Sequence, residues 1–521
     1  MQIFESNSPL LPEIFSLHGK WRAQQEAVIC GRERLTWAQF IAGNHRLANG
    51  LLARGVNPRD AVGVVMSNGV PMLQAMMGLM AMGAVSVPIN LSVNDDGLVS
   101  MLNDAGVTAL IVSADQRARI ESLIPSMPKS LKLMVCDQGA DDDWVSFEQL
   151  VATAGEQLPK VGIEATDRLN IIYSSGTTGL PKGIVHTQGG RRDWAYDLAI
   201  ALRYHCNSKT LLTIGLYSNI SWVAMLTTLL AGGTLVIAKK FEANAFLDIV
   251  QDEKITHTAM VPIQFQRVIE CLEKSKNEYD LGSLDAMMSC GSPLHAELKQ
   301  SIFDYMPCGI IELYGLTEGV ITTIEPEQSE GRWSSVGKPL IGTDIRIVDD
   351  NDVQMAANQS GEIVSRGRIT MPGYLNRPDA NAEASYTDED GKVWLRTGDI
   401  GYFDDEGFIY IVDRKKDMIL TGGQNVYPQD IEAVMFEHPA VNDVAVIAAP
   451  SNRWGETPIA IVVCDEKSAA TMNEITKWSN QRLGKQQRIA AAIAVNELPR
   501  NPNGKILKRE LKKVHSVVSY D

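Results

Sequence analysis

The chain has 521 residues, beyond the size at which one hydrophobic core keeps growing, so two or more domains are expected. Apolar residues make up 45% and charged residues 21%, the balance of an ordinary globular protein. The formal charge of −15 argues against a nucleic-acid partner, which would need a basic surface.

The N-terminal MQIFESNSPLLPEIF has no basic region ahead of an apolar run, so it does not read as a signal peptide. Residues 61–94 and 210–238 carry no charge. The first holds Asn68, Pro71, Gln74 and Pro88 and divides into strand, helix and strand; the second ends in GGTLVIA, a turn and a buried strand. Both read as core covered on two faces, not as membrane spans. Strand-like runs AVGVVM (61–66), AVSVPI, TALIVS (108–113), KLMVC (132–136), TLLTIG (210–215) and TLVIA (234–238) alternate with helical stretches. That rhythm predicts an α/β fold with largely parallel sheets. After about residue 335, TDIRIVD, GEIVSRG and GYFDDEGFIYIVD read as short antiparallel strands, with DDEG a hairpin turn.

The charged run DRKKD (413–417) then separates a large domain, 1–413, from a smaller α+β domain, 414–521. Within the tail, residues 500–513 hold six bases against one acid, which fits either a solvated helix face or a site for a polyanion. Seven cysteines, scattered and never in C-x-x-C, predict reduced thiols in a cytoplasmic protein.

Four clusters could carry chemistry. YSSGTTGLPKG (173–183) follows RLNIIY, a plausible strand, so it stands where ligand crevices form. Its glycines permit close backbone approach, its hydroxyls donate, and Lys182 adds charge; it is either a phosphate cradle or a surface turn, and it is not a P-loop. IELYGLTEG (311–319) ends in a turn where Glu318 is either a cap or a Mg²⁺ ligand. WLRTGDIG (394–401) puts Asp399 after a strand, as a turn residue or an acceptor for ribose hydroxyls. PRNPNGKILKREL (499–511) puts Lys505 in a loop before a short basic helix.

In this order the motifs SSGTTGLPKG, YGLTEG, RTGD and NGKILKREL resemble those of the adenylate-forming superfamily of acyl-CoA synthetases, luciferases and peptide-synthetase adenylation domains. The resemblance runs from LTWAQF (35–40) to the final lysine loop. It implies a large α/β domain with a small antiparallel barrel-like part and a small mobile C-terminal domain. It also implies ATP, Mg²⁺ and coenzyme A as cofactors: a carboxylate attacks the α-phosphate, pyrophosphate leaves, and a thiol displaces AMP. Carried over by motif, Ser174, Ser175, Gly176, Thr177, Thr178, Gly179 and Lys182 cradle the phosphates. Gly291, Ser292 and Pro293 line the adenine, on which Tyr314 stacks, and Glu312 and Gly315 join the nucleotide set. Thr317 meets the α-phosphate and Glu318 holds the metal. Asp399 takes the ribose, Arg414 the ribose or phosphate, and Lys505 bridges carboxylate and α-phosphate. Lys416 is the implied hinge, and Gly422 and Gly423 the implied passage for the pantetheine arm.

The resemblance is imperfect in one place. Where the family commonly has a P-L-F-H-like stretch, this chain reads GLYSN, with Gly215 for Pro and Ser218 for His. Tyr217, Ser218, Asn219, Trp222 and Val320 are therefore the candidates for the acid pocket. No aspartate lies in 213–223, which argues against a free amino-acid substrate. The apolar walls predict a fatty or aromatic acid. Loading of an acyl carrier protein is the alternative to coenzyme A, and a homodimer is left open.

Overall fold

The charge-free stretch at 61–94 folds as strand Ala61–Val65, helix Val70–Ala81 and strand Val85–Pro88. The helix buries Met72, Leu73, Met76, Leu79 and Met80 around its whole circumference, as expected of a helix covered on all sides. The two strands pair in parallel. They lie in a seven-stranded sheet ordered Val145–Ser146, Leu133–Cys136, Ala109–Val112, Ala61–Val65, Val85–Pro88, Arg168–Ser174, Lys182–Thr187. Only the last pair is antiparallel.

This computed structural model describes residues 8–174, 181–275, 279–464, 470–500, 505–516 and 518–520. Ser175, Gly176, Thr177, Thr178 and Gly179 lie outside the described residues.

The molecule divides into two compact units. The first comprises Met1–Trp333, Pro339–Asp344 and Arg366–Ala384. Besides the sheet above it holds the strands Val320–Ile324, Ile311–Leu316, Ala286–Ser289, His257–Met260, Lys209–Leu212, Thr234–Ile237, Glu26–Cys30 and Glu33–Thr36, adjacent in that order. The inner pairs are parallel and the two outer pairs antiparallel. The second charge-free stretch supplies helix Asn219–Ala231 and strand Thr234–Ile237 to this core. No helix among the described residues is long and apolar enough to cross a membrane.

The second unit comprises Ser334–Lys338, Ile345–Ser365 and Ser385–Asp521. It contains the expected antiparallel hairpin of Val393–Phe403 and Ile409–Arg414, and a five-stranded sheet built on the long hairpin Val441–Ser451 and Gly455–Cys464. Residue 414 lies inside this unit, which joins 385–413 to the tail. Three of the six bases of the run are paired here: Arg500 with Asp443 at 2.6 Å, Lys508 with Glu432 at 2.7 Å and Lys512 with Asp417 at 3.5 Å. Lys508 and Lys512 thereby fasten helix Lys508–His515 to its own unit.

Candidate active site

In the first unit, strand Arg168–Ser174 runs into the glycine-rich segment, and strand Lys182–Thr187 returns antiparallel with Lys182 opposite Ser174. Lys182 thus opens the return strand. Its Nζ stands 4.9 Å over the ring of Tyr374, whose hydroxyl donates to Glu318 Oε1 at 2.9 Å. The lysine of one motif and the carboxylate of another meet on a ring that sequence reading passed over. Its only signal was a Pro-Gly-Tyr tripeptide with no chemistry of its own. The segment is docked by Leu375, whose N–H donates to the Gly183 carbonyl at 2.8 Å.

Ile311–Leu316 lies parallel to Ala286–Ser289, with Glu312 level with Ser289. Gly291, Ser292 and Pro293 and the residues Tyr314, Gly315, Thr317 and Glu318 therefore emerge from the carboxyl ends of adjacent parallel strands, where α/β sheets form ligand crevices. Gly291, Pro293 and Gly315 are exposed; Ser292, Tyr314, Thr317 and Glu318 are half-buried. Glu312 is buried, and its Oε2 accepts from Lys299 Nζ at 2.9 Å. Burial raises its pKa, and the Lys299 ammonium opposes the shift.

The same sheet edge carries the GLYSN stretch. Asn68 pins it: Leu216 N–H donates to Asn68 Oδ1 at 2.9 Å, and Asn68 Nδ2 donates to the Ile214 carbonyl at 3.2 Å. A Cβ on Gly215 would overlap Cε1 of Tyr217 and stand 2.8 Å from its Cζ, so glycine in place of proline lets that ring fold back on the chain. Ser218, standing where a histidine is common, caps helix Asn219–Ala231 by accepting from Ile220 N–H at 3.4 Å. Trp222 and Val320 are fully buried. Asn219 Oδ1 accepts from Arg191 Nη2 at 2.7 Å. Arg191 also donates to His186 Nδ1, and His186 Nε2 bonds the Thr317 carbonyl at 2.8 Å. Burial first, and then Arg191, push the imidazole pKa well down, so His186 is neutral. Neither Arg191 nor His186 belongs to a motif, and nothing in the sequence singled them out.

In the second unit Asp399 departs from expectation. It lies inside the eleven-residue strand Val393–Phe403, not after it, because the strand continues through Gly398 in a left-handed conformation at φ 68°. Asp399 is buried, and its Oδ1 pairs with Arg414 Nε at 2.6 Å, one strand across in register. Lys505, about ninety residues later in the chain, brings its ammonium among Arg414, Asp399, Lys416 and Asp417. The residue keeps exposed surface, but desolvation of the ammonium first, and then the Arg414 charge, lower its pKa to about 8, with Asp399 pulling the other way. Lys416 sits in an exposed turn after strand Ile409–Arg414. Gly422 and Gly423 are both exposed and left-handed; a Cβ on Gly422 would meet Trp454 at 2.8 Å, whereas one on Gly423 would face open space.

Residues 18–375 match the family model described as AMP-binding enzyme, and residues 430–505 match the AMP-binding enzyme C-terminal domain. The chain belongs to the AMP-binding enzymes. This AMP-binding enzyme is 31% identical over 515 residues to a long-chain-fatty-acid–CoA ligase of Mycobacterium tuberculosis, covering 95% of this chain and 98% of that one. It is 28% identical to a 2-succinylbenzoate–CoA ligase of Bacillus subtilis, covering 93% and 94%. Among solved structures it resembles the o-succinylbenzoate CoA synthetase of Bacillus subtilis in complex with its acyl-adenylate intermediate, at TM-score 0.84 and 25% identity, over 98% of this chain and 99% of that one. The enzyme is accordingly an adenylate-forming acid–thiol ligase that makes an acyl-CoA through an acyl-AMP, using ATP and coenzyme A.

Proposed function

We propose that the acid is fatty or aromatic and that two conformations of the chain serve two half-reactions. The observation that carries the reading is the convergence of Lys505 with Asp399 and Arg414 in one unit. A cation for the reacting carboxylate and α-phosphate stands beside a carboxylate suited to ribose hydroxyls, which is what adenylate formation needs. The acid's carboxylate attacks the α-phosphate in line, Lys505 neutralises the charge that gathers there while Thr317 contacts the α-phosphate, and the bond to the pyrophosphate held by the glycine-rich segment breaks. Glu318 fits a Mg²⁺ site: it is a single half-buried carboxylate with one oxygen held by Tyr374, and Mg²⁺ is commonly held by one or two carboxylates together with substrate phosphates. Mg²⁺ there would neutralise phosphate charge.

Rotation about Lys416 then withdraws Lys505 and presents Gly422 and Gly423 to the acyl-AMP. A mobile part that begins at 414, within the second unit, and a cytoplasmic location complete the proposal, and a homodimer stays open. Relatives named for long-chain fatty acids, ferulate, coumarate and 2-succinylbenzoate support the range of acids.

The test is pyrophosphate release with Mg-ATP across aliphatic, aromatic and dicarboxylic acids, with and without coenzyme A, products being identified by mass. An acyl-CoA from an acid with a fatty or aromatic frame, whether it bears one carboxylate or two, is expected. Acyl-AMP that accumulates beside unreacted coenzyme A would overturn the choice of acceptor in favour of a carrier protein.

A further inference from the structure

Helix Gln188–Ala201 carries a group that the nucleotide chemistry does not use. Arg191 is 1% exposed, and its guanidinium is held only by neutral partners. Nε donates to Asn170 Oδ1 at 3.2 Å, and Nη2 donates to Asn219 Oδ1 at 2.7 Å and to His186 Nδ1 at 3.3 Å. A guanidinium has no acceptor, so Nδ1 accepts and the His186 proton sits on Nε2, which donates to the Thr317 carbonyl. The indoles of Trp194 and Trp222 lie against the guanidinium, with ring centroids 4.4 and 5.3 Å from Cζ.

Among the described residues no carboxylate pairs with Arg191; burial alone draws its pKa down, to about 9, and it stays charged at neutral pH. Neutral hydrogen bonds and aromatic faces return only part of what dehydrating an ion costs, so a buried cation without a counter-ion is not a stability device. The three hydrogen bonds leave Nη1 unused. Two neighbouring donors, Asn170 Nδ2 and Trp222 Nε1, are buried with no acceptor. The cluster has surplus N–H groups and a surplus positive charge. Its complement is an anion rich in acceptor oxygens. Arg191 also lines a small cavity together with His186, Gly190, Trp194, Thr317 and Met371.

Two anions come near in the reaction, the nucleotide phosphates and the acid. Asn219 and Trp222 belong to the helix that follows GLYSN, the stretch assigned to the acid. Thr317, assigned to the α-phosphate, lies on the far side of the His186 ring. The carboxylate that attacks must sit at the α-phosphate; a group at Arg191 is a full imidazole ring away from it, at the other end of the acid. Resting on the acyl-CoA ligase reading, the geometry points to Arg191, supported by Asn219, as the recognition site for a second carboxylate, and so to a fatty or aromatic frame that carries a carboxylate at each end as the substrate class. Nη1, the nitrogen those partners leave free, carries two N–H groups that can donate charge-assisted hydrogen bonds to a carboxylate oxygen. A simple fatty tail would leave the cation unpaired, and sites with unmet polar groups discriminate strongly against such analogues.

The test compares kcat/KM for pyrophosphate release on matched pairs: hexanoate with hexanedioate, octanoate with octanedioate, and 3-phenylpropanoate with its para-carboxy derivative. The dicarboxylate is expected to be preferred by about tenfold or more. Arg191→Leu should reverse that ratio through a raised KM for the dicarboxylate, and Arg191→Lys, which keeps charge but cannot hold Asn170, Asn219 and His186 while donating to a ligand, should fall between. Should Arg191→Leu fail to fold, Asn219→Asp remains. It supplies an internal counter-ion at almost unchanged volume, and should raise the melting temperature while collapsing the ratio. Pyrophosphate release that favours the monocarboxylates in every pair, or a dicarboxylate preference unmoved by these variants, overturns this assignment alone. No pyrophosphate with any acid overturns the ligase reading and the assignment with it.

Discussion

Lys505 has to be a cation when the carboxylate meets ATP, and its surroundings work against that: desolvation and the Arg414 charge bring its pKa to about 8. A lysine with a lowered pKa is charged below that value and neutral above it. On the free enzyme, kcat/KM for adenylate formation should therefore fall as pH rises through about 8. In Lys505→Arg the group stays charged, and the falling limb should vanish even though the rate is lower. Lys505→Ala should slow adenylate formation by about 10²–10³-fold while thioester formation from supplied acyl-AMP suffers much less. An equal loss in both half-reactions would remove the assigned role. Gly215 poses a packing question of the same size. Its departure from the family's proline was legible in the sequence, but the reason was not, because it lies in the Tyr217 ring folded over the Cα. Gly215→Ala should cost about 1–3 kcal/mol of stability by overpacking. In the Tyr217→Ala background the same change should cost little; equal costs in the two backgrounds would mean that the ring is not the obstacle.

Between elements, the joint that matters most for the site is the one from helix Ala296–Tyr305 to strand Ile311–Leu316. Lys299 on the helix is 0% exposed and reaches Glu312 on the strand that delivers Tyr314, Thr317 and Glu318. Lys299→Met leaves the Glu312 carboxylate buried and unpaired, which should cost about 3–5 kcal/mol in urea unfolding. The loss has a defined pH dependence. Burial already raises the Glu312 pKa, and removing the ammonium raises it further, so the folded state binds the proton more tightly than the unfolded chain and stability falls as pH rises. The variant should therefore be weaker at pH 8 than at pH 5. Lys299→Met with Glu312→Leu should recover most of the loss, and a single variant within 1 kcal/mol of the parent would sink the argument. The alternating pattern of apolar runs made most strands legible. It left their partners hidden: SSGTTGLPKG and YGLTEG both join antiparallel pairs, because a return strand and a crossover strand show the same hydrophobic pattern. His186, Arg191, Asn68 and Tyr374 were missed for a different reason. Each acts through one long-range contact, and a single residue leaves no periodic trace.

At the scale of the molecule, the order of elements carried the fold class: charge-free strands flanking helices can only be buried in a sheet covered on both faces, and the antiparallel texture after 335 follows from its acidic and glycine turns. The basic tail was legible as charge but not as pairing, since Arg500, Lys508 and Lys512 have acidic partners drawn from 417–443 that no local window contains. Motion leaves even less trace in a sequence, and the two-conformation scheme came from resemblance, so it needs a test that separates passage of a thiol from damage to the fold. Gly423 offers one. It is exposed, left-handed at φ 80°, and a Cβ there meets nothing within 4 Å. Gly423→Ala and Gly423→Trp share the same backbone penalty, about 1 kcal/mol or somewhat more, and only the tryptophan adds bulk. With supplied acyl-AMP and coenzyme A, the tryptophan variant should form thioester at least about tenfold more slowly than the alanine variant, a barrier difference of about 1.4 kcal/mol. Pyrophosphate release in the first half-reaction should differ far less between them. Should the two variants make thioester at the same rate, the pantetheine arm does not pass Gly423, and the path to the acyl-AMP must be sought elsewhere on the second unit.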